Sequence, residues 1–268
     1  MEIAGYIAAA LIGISLGLMG GGGSILTVPV LVYLFRINPL YATSYSLFIV
    51  GFTSLTGACS SSVKGLVNFR TALHFGISSF ITVFATRKWL LPRIPETIFT
   101  INDFTITSAM LTMVLFAGLM IVASFSMLGK HRVISNEASA QKNLPVAWLS
   151  LYGIAIGLVT GLLGAGGGFL LIPVLVILLK LPMKEAVGTS LLIIAINSLI
   201  GFAGDLGHFV IQWTKLLVIT AIAVGGIFTG SALAARIAAE KLKKYFGWFV
   251  LLTGIFILVK EIIIQQWA

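Results

Sequence analysis

Charged side chains are scarce in this chain. Asp, Glu, Lys and Arg make up 9% of its 268 residues, where a soluble domain carries roughly a quarter. So little charge cannot cover a water-facing surface. With 59% hydrophobic residues and a mean hydropathy of +1.10, the composition is that of a polytopic membrane protein. Cysteine is scarcer still: Cys59 stands alone, which excludes an intramolecular disulfide and any multi-thiolate metal site. Basic residues outnumber acidic ones 17 to 8, yet no basic run exceeds a few residues, which argues against a nucleic-acid surface. Arg236, Lys241, Lys243 and Lys244 fit a cytoplasmic anchor instead. No Ser-His-Asp set, catalytic carboxylate pair or metal-ligand spacing is visible. The chain is expected to be no enzyme and to use no cofactor and no metal. Glu2 stands where a secretory signal has positive charge, and no small-residue cleavage site precedes the first glycine cluster, so the first apolar segment is expected to be retained.

What the chain does have is an internal repeat. GLMGGGGSILTVPVLVYLF followed by ATSYSLFIVGFTSLTG in the first half returns, without a gap, as GLLGAGGGFLLIPVLVILL and AVGTSLLIIAINSLIG in the second. At one constant offset Gly20 matches Gly164, Gly22 matches Gly166, Gly23 matches Gly167, Pro29 matches Pro173 and Ser46 matches Ser190. Apolar bias inflates Leu and Val matches, but it cannot set Gly, Pro and Ser in register. Further on, Asn68-Phe69 falls on Gln212-Trp213 and Glu96 on Glu240. Two glycine-interrupted hydrophobic segments, one per half, point to a transporter with its site between the halves.

Apolar stretches long enough to cross a membrane fall at 3–35, 42–63, 71–91, 104–128, 145–179, 186–206, 213–235 and 245–264, the first and fifth broken by glycine. As one helix, residues 3–34 would run about 48 Å at ~1.5 Å per residue, too long for one span. The flank after the glycines reaches only about 18 Å and cannot cross alone. A re-entrant hairpin turning at the glycines near mid-membrane fits both lengths. It leaves three crossings per half, and an odd count inverts the second half. The fold expected is therefore an all-α polytopic membrane protein of two inverted repeats, each a glycine-broken re-entrant hairpin plus three transmembrane helices. Residues 1–128 form the first repeat (hairpin 3–35), 129–144 a cytoplasmic linker, and 145–268 the second repeat (hairpin 145–179). This arrangement gathers the larger share of Lys and Arg on the linker side and sets the N-terminus outside the cell membrane.

Broken backbone at membrane depth is tolerated where it lines a cavity or is buried in protein. Gly20, Gly21, Gly22 and Gly23, with Gly164, Gly166, Gly167 and Gly168, would leave N–H groups free at the start of helices 24–35 and 169–179. Helix N-termini favour anions, and two of them meeting would make an anion site without buried lysine or arginine. The competing role of these glycines is close helix packing. A phosphate loop is disfavoured, because no Lys-Ser/Thr follows either cluster. Ser24, Ser46, Thr53, Thr189, Ser190 and Asn197 are polar candidates on the adjoining spans, Asn197 foremost because an amide in a span needs a partner or ligand. Singly, the hydroxyls also suit bonds to their own helix backbone. Asp205 and His208 are candidates for carrying protons, against the alternative of an interfacial cap or salt bridge.

Duplicated G-L-x-G-x-G-G-G/S with its following proline (residues 17–29 and 161–173), then A-x-x-T/Y-S-L at 42–47 and 186–191, resembles the sulfite exporter TauE/SafE family over nearly the whole chain. The resemblance implies an integral membrane transporter of small sulfur-containing anions such as sulfite or organosulfonate-related compounds. Tyr45 departs from the pattern, since its counterpart is Thr189. The partners expected are a small anion and the lipid bilayer, with no nucleic acid and homo-oligomerisation left open. Export is the leading reading. Uptake of another small anion, or a non-transporting membrane scaffold or enzyme, are the alternatives.

Overall fold

The computed structural model describes residues 2–95, 97–101, 104–128, 146–177, 179–234 and 239–264. The linker expected at 129–144 lies outside the described residues. Those described are nearly all helical. The first half runs α1 (Glu2–Met19), a 3-10 segment (Gly20–Leu26), α2 (Thr27–Tyr33), α3 (Pro39–Val63), α4 (Phe69–Ala85) with a π-helical extension (Thr86–Leu90), and α5 (Ser108–Leu128). The second runs α6 (Val146–Leu163), a glycine turn at 164–167, α7 (Gly168–Ile177), α8 (Met183–Asp205), α9 (Trp213–Ala234) and α10 (Ala239–Val259).

Local chemistry sets several boundaries. Asn38 caps α3, its side chain accepting the Leu40 N–H, with Pro39 in the first turn; Asn68 caps α4 through the Thr71 N–H. One element departs from the all-α expectation. Strands β1 (Thr97–Ile101) and β2 (Phe104–Thr107) pair antiparallel, so the apolar stretch begun at 104 turns helical only at Ser108. Alternating Thr, Ile and Phe explain this, because β-branched and aromatic side chains favour a pleated strand. The constant offset would pair Ala239, where α10 starts, with Pro95. The hairpin therefore displaces α5 and ends the strict register of the repeat.

Among the described residues five helices are long and apolar enough to cross a membrane: Ala4–Tyr33, Pro39–Val63, Ser108–Phe125, Met183–Asp205 and Trp213–Ala234. The first is not straight. The Phe35 ring lies against Gly5 and 5.7 Å from the Tyr6 ring, so the chain returns to the end of α1 from which it set out.

Packing interleaves the halves. α1 packs on α9 and α6 on α4; α3 packs on α8, and α5 on α10. Exchanging the halves reproduces this set. α1 and α9 run parallel, since a side chain at Gly13 would strike Ala223 and one at Gly17 would strike Ile227 and Gly230. Likewise Gly157 abuts Ser79 and Gly161 abuts Thr86 in α6 and α4. These spaced glycines let backbones approach closely. α3 and α8, which correspond in the repeat, run antiparallel: Leu47 meets Gly201, Gly51 meets Leu199, and Gly57 meets Leu191. Both are buried along most of their length, whereas α1, α4, α5, α6, α9 and α10 expose large apolar side chains such as Leu11, Ile81, Leu115, Leu151, Leu217 and Leu252. Such a surface suits lipid, not water.

Candidate functional site

The two glycine clusters adopt different conformations. In the first, Gly20–Leu26 is itself a 3-10 helix, so α2 begins at Thr27 and not at 24 as expected. Ser24 turns its hydroxyl onto the Gly21 carbonyl at 2.8 Å. In the second, Gly164, Gly166 and Gly167 all have φ near +67°, and α7 starts at Gly168. The Gly167 carbonyl accepts from both the Leu170 and Leu171 N–H groups. Gly20 and Gly164 nevertheless share one backbone state, φ +65° and +68°, at corresponding positions. That left-handed region favours glycine, which explains the retained residue type.

The clusters meet. A side chain on Gly21 would run into Gly168, and one on Gly168 into Gly21, with Ile194 of α8 alongside. Gly166 lies against Val50, Ile194 and the Ser198 hydroxyl, near the middles of α3 and α8. Gly20 sits at Val187 and Gly164 at Thr43, which correspond in the repeat, so each broken segment starts toward one end of the α3–α8 pair and returns toward its centre. α1 and α6 are consequently longer than a turn at mid-depth would require. Residues 20–24 and 164–168 are all buried.

The polar candidates Ser24, Ser46, Thr53, Thr189, Ser190 and Asn197 are all fully buried. Thr53 and Ser190 are occupied by their own helices, donating to Ile49 at 2.6 Å and Val187 at 2.8 Å. Asn197 donates from Nδ2 to Ser79 of α4 at 2.7 Å, while its Oδ1 has no partner among the described residues. Ser46, Ser54 and Ser198 likewise have hydroxyls without partners there. Thr189 accepts the Asn68 N–H at 2.9 Å, and Tyr45 accepts the Gln212 N–H at 2.7 Å. Those two bonds correspond under the repeat. The Tyr45/Thr189 departure thus keeps one contact, a hydroxyl on the central helix receiving the N–H that opens a helix across the pair.

The geometry joins a duplicated glycine junction to a buried pair of central helices, and known proteins are similar to this chain in sequence. The family described as sulfite exporter TauE/SafE matches residues 6–257. The chain belongs to that family. A probable membrane transporter protein of Xylella fastidiosa is 29% identical over 92% of this chain and 91% of its own length. The probable membrane transporter protein YunE of Bacillus subtilis is 27% identical over 81% and 82%. A further such protein of Methanocaldococcus jannaschii is 26% identical over 73% and 68%. No solved structure gives a significant match.

In this TauE/SafE protein the proton-carrying candidates separate. His208 is exposed and its Nδ1 lies 3.3 Å from the Asp205 carbonyl, not the carboxylate. The Asp205 carboxylate instead faces Arg87, Nη1 to Oδ2 at 3.0 Å, with both side chains buried. Arg87 also donates from Nη1 to the Thr43 hydroxyl at 3.1 Å. Sequence reasoning missed this residue, because it expected an anion site without buried lysine or arginine. A signal was present. Ala72, Phe75, Gly76, Ser79, Val83 and Thr86 form the buried stripe of α4, and Arg87 continues it at helical spacing.

Proposed function

We propose that this TauE/SafE membrane transporter is a secondary carrier of a small sulfur-containing oxyanion, sulfite or an organosulfonate, and that it works in the direction of export. The anion is held at the junction of the two glycine segments, where the 3-10 segment Gly20–Leu26 and α7 begin. The observation carrying this reading is the contact of Gly21 with Gly168: two buried, broken segments from opposite halves converge between α3 and α8. Broken backbone placed there suits a ligand site, and the positive ends of helices suit an anion. The substrate class comes from the family's description.

The halves are read as inverted repeats with re-entrant hairpins and the N-terminus outside. The return of Phe35 to Gly5 and Tyr6 supports the re-entrant turn. Antiparallel packing of α3 on α8 supports inversion, because an axis along the membrane normal would leave corresponding spans parallel. Purified protein in liposomes, loaded with labelled sulfite and a set of sulfonates, tests the function. Counterflow of one of these anions is expected; no movement of any small anion under either gradient would overturn the reading.

A further inference from the structure

We propose that Arg87 is the cation that binds the transported oxyanion, through the side-on edge of its guanidinium, with Asp205 holding the charge in place. The inference rests on the transporter reading above.

Arg87 is buried at 1% exposure. A guanidinium carries five N–H donors in a planar fork. Both of its polar contacts, to Asp205 and to Thr43, use Nη1. Nε and Nη2 have no partner among the described residues. These two nitrogens form the edge whose N–H groups point the same way and match two oxygens of one oxyanion. A buried ion pair kept only for stability should be saturated, because each unmet buried donor is costly. Here the cation is anchored at one nitrogen and open at the other two.

The place is suitable. Thr43, which accepts from Arg87, lies directly against Gly164, where the second glycine turn begins, and Gly204 packs on the base of the Arg87 side chain. The π-helical turn Thr86–Leu90 touches both α6 and α8. Arg87 therefore stands where the second broken segment starts, at the end of the α3–α8 pair from which that segment returns toward the Gly21–Gly168 contact.

The repeat provides an internal comparison. The positions corresponding to Arg87 and Asp205 are Ser231 and Ser61. Ser231 and Gly230, the counterpart of Thr86, lie with their backbone against Gly17 of α1, as the Thr86 side chain lies against Gly161 of α6. Among the described residues those helices pack without an ion pair, so the architecture does not require one. A charge present at one end of a duplicated fold is better explained by the ligand than by packing.

The test is equilibrium binding of labelled sulfite to purified full-length protein, with thermal melts and liposome counterflow on the same samples. Arg87→Lys keeps the positive charge but removes the fork; a rise of at least tenfold in the sulfite Kd is expected, with sulfate and chloride as competing ions. Arg87→Gln/Asp205→Asn replaces the pair by a neutral one of similar shape. That variant is expected to melt near the wild type yet bind no sulfite. If the double variant binds and moves sulfite as the wild type does, the pair is structural and the assignment of Arg87 fails while the transporter reading stands. Wild-type protein that moves no anion overturns both.

Discussion

At the scale of single residues, backbone conformation and unpaired polar atoms separate the candidates. Gly166 combines φ +68° with close approach to Val50, Ile194 and Ser198, whereas Gly65 has the same φ and open space around it. An alanine in that region costs about 1–2 kcal/mol from backbone strain alone. Gly65→Ala is therefore expected to leave transport intact, and Gly166→Ala to lower it at least tenfold while membrane insertion persists. Sulfite counterflow at matched protein levels checks the pair; equal rates would remove Gly166 from the path. Asn197 holds α8 to α4 through Ser79. Asn197→Leu should cost about 1–3 kcal/mol by stranding the Ser79 hydroxyl, and should weaken sulfite binding more than Ser54→Ala does. Melting curves and binding on the same samples decide this. Equal binding losses would assign the amide to packing alone.

At the scale of elements, parallel helix pairs depend on small residues at particular faces. Gly226 of α9 lies against Ala10, Gly13 and Ile14 of α1, while its neighbour Gly225 meets nothing within reach. Gly226→Leu should overpack the pair and cost about 1–3 kcal/mol; Gly225→Leu points away and should be close to neutral. Thermal stability in detergent reads the difference, and similar losses at both positions would mean that α1 and α9 do not pack as described. The α4 extension belongs to the same scale. The π-helical turn Thr86–Leu90 continues α4 and carries the buried Arg87.

At the scale of the whole molecule, orientation decides whether the two broken segments can share a ligand. In a Cys59→Ala background, single cysteines at Glu2, Asn38 and Gly207 are expected to react with an impermeant reagent from outside, and those at Lys64 and Lys184 from inside. Tyr41, near the start of α3, stacks on Phe209 at 4.9 Å, which fixes the loop after α8 to the Asn38 end. The deciding pair is Glu2 with Asn38. Labelling from opposite sides would mean that the first segment crosses once, and the shared anion site would have to be withdrawn.

The linear order of residues determined the duplication, the membrane environment and the family, because each is written in residue type at fixed spacing. Gly20 with Gly164, Pro29 with Pro173 and Ser46 with Ser190 keep their register however the chain folds. The break in residues 3–35 was also legible, since an unbroken helix of that length exceeds the bilayer. Tertiary structure alone decided which partner each group took. The Thr189 hydroxyl met a backbone N–H 121 residues away, and Asn197 met Ser79 across two helices. The strands at 97–107 broke an apolar run in which alternation was masked by neighbouring hydrophobic residues. Arg87 shows the limit most clearly: it lies beside Lys88 in the sequence, and only the packing of α4 and its extension against α6 and α8 buries the one while leaving the other exposed. Periodicity can assign a residue to a face, but only the assembled helices determine whether that face meets lipid, water or a carboxylate.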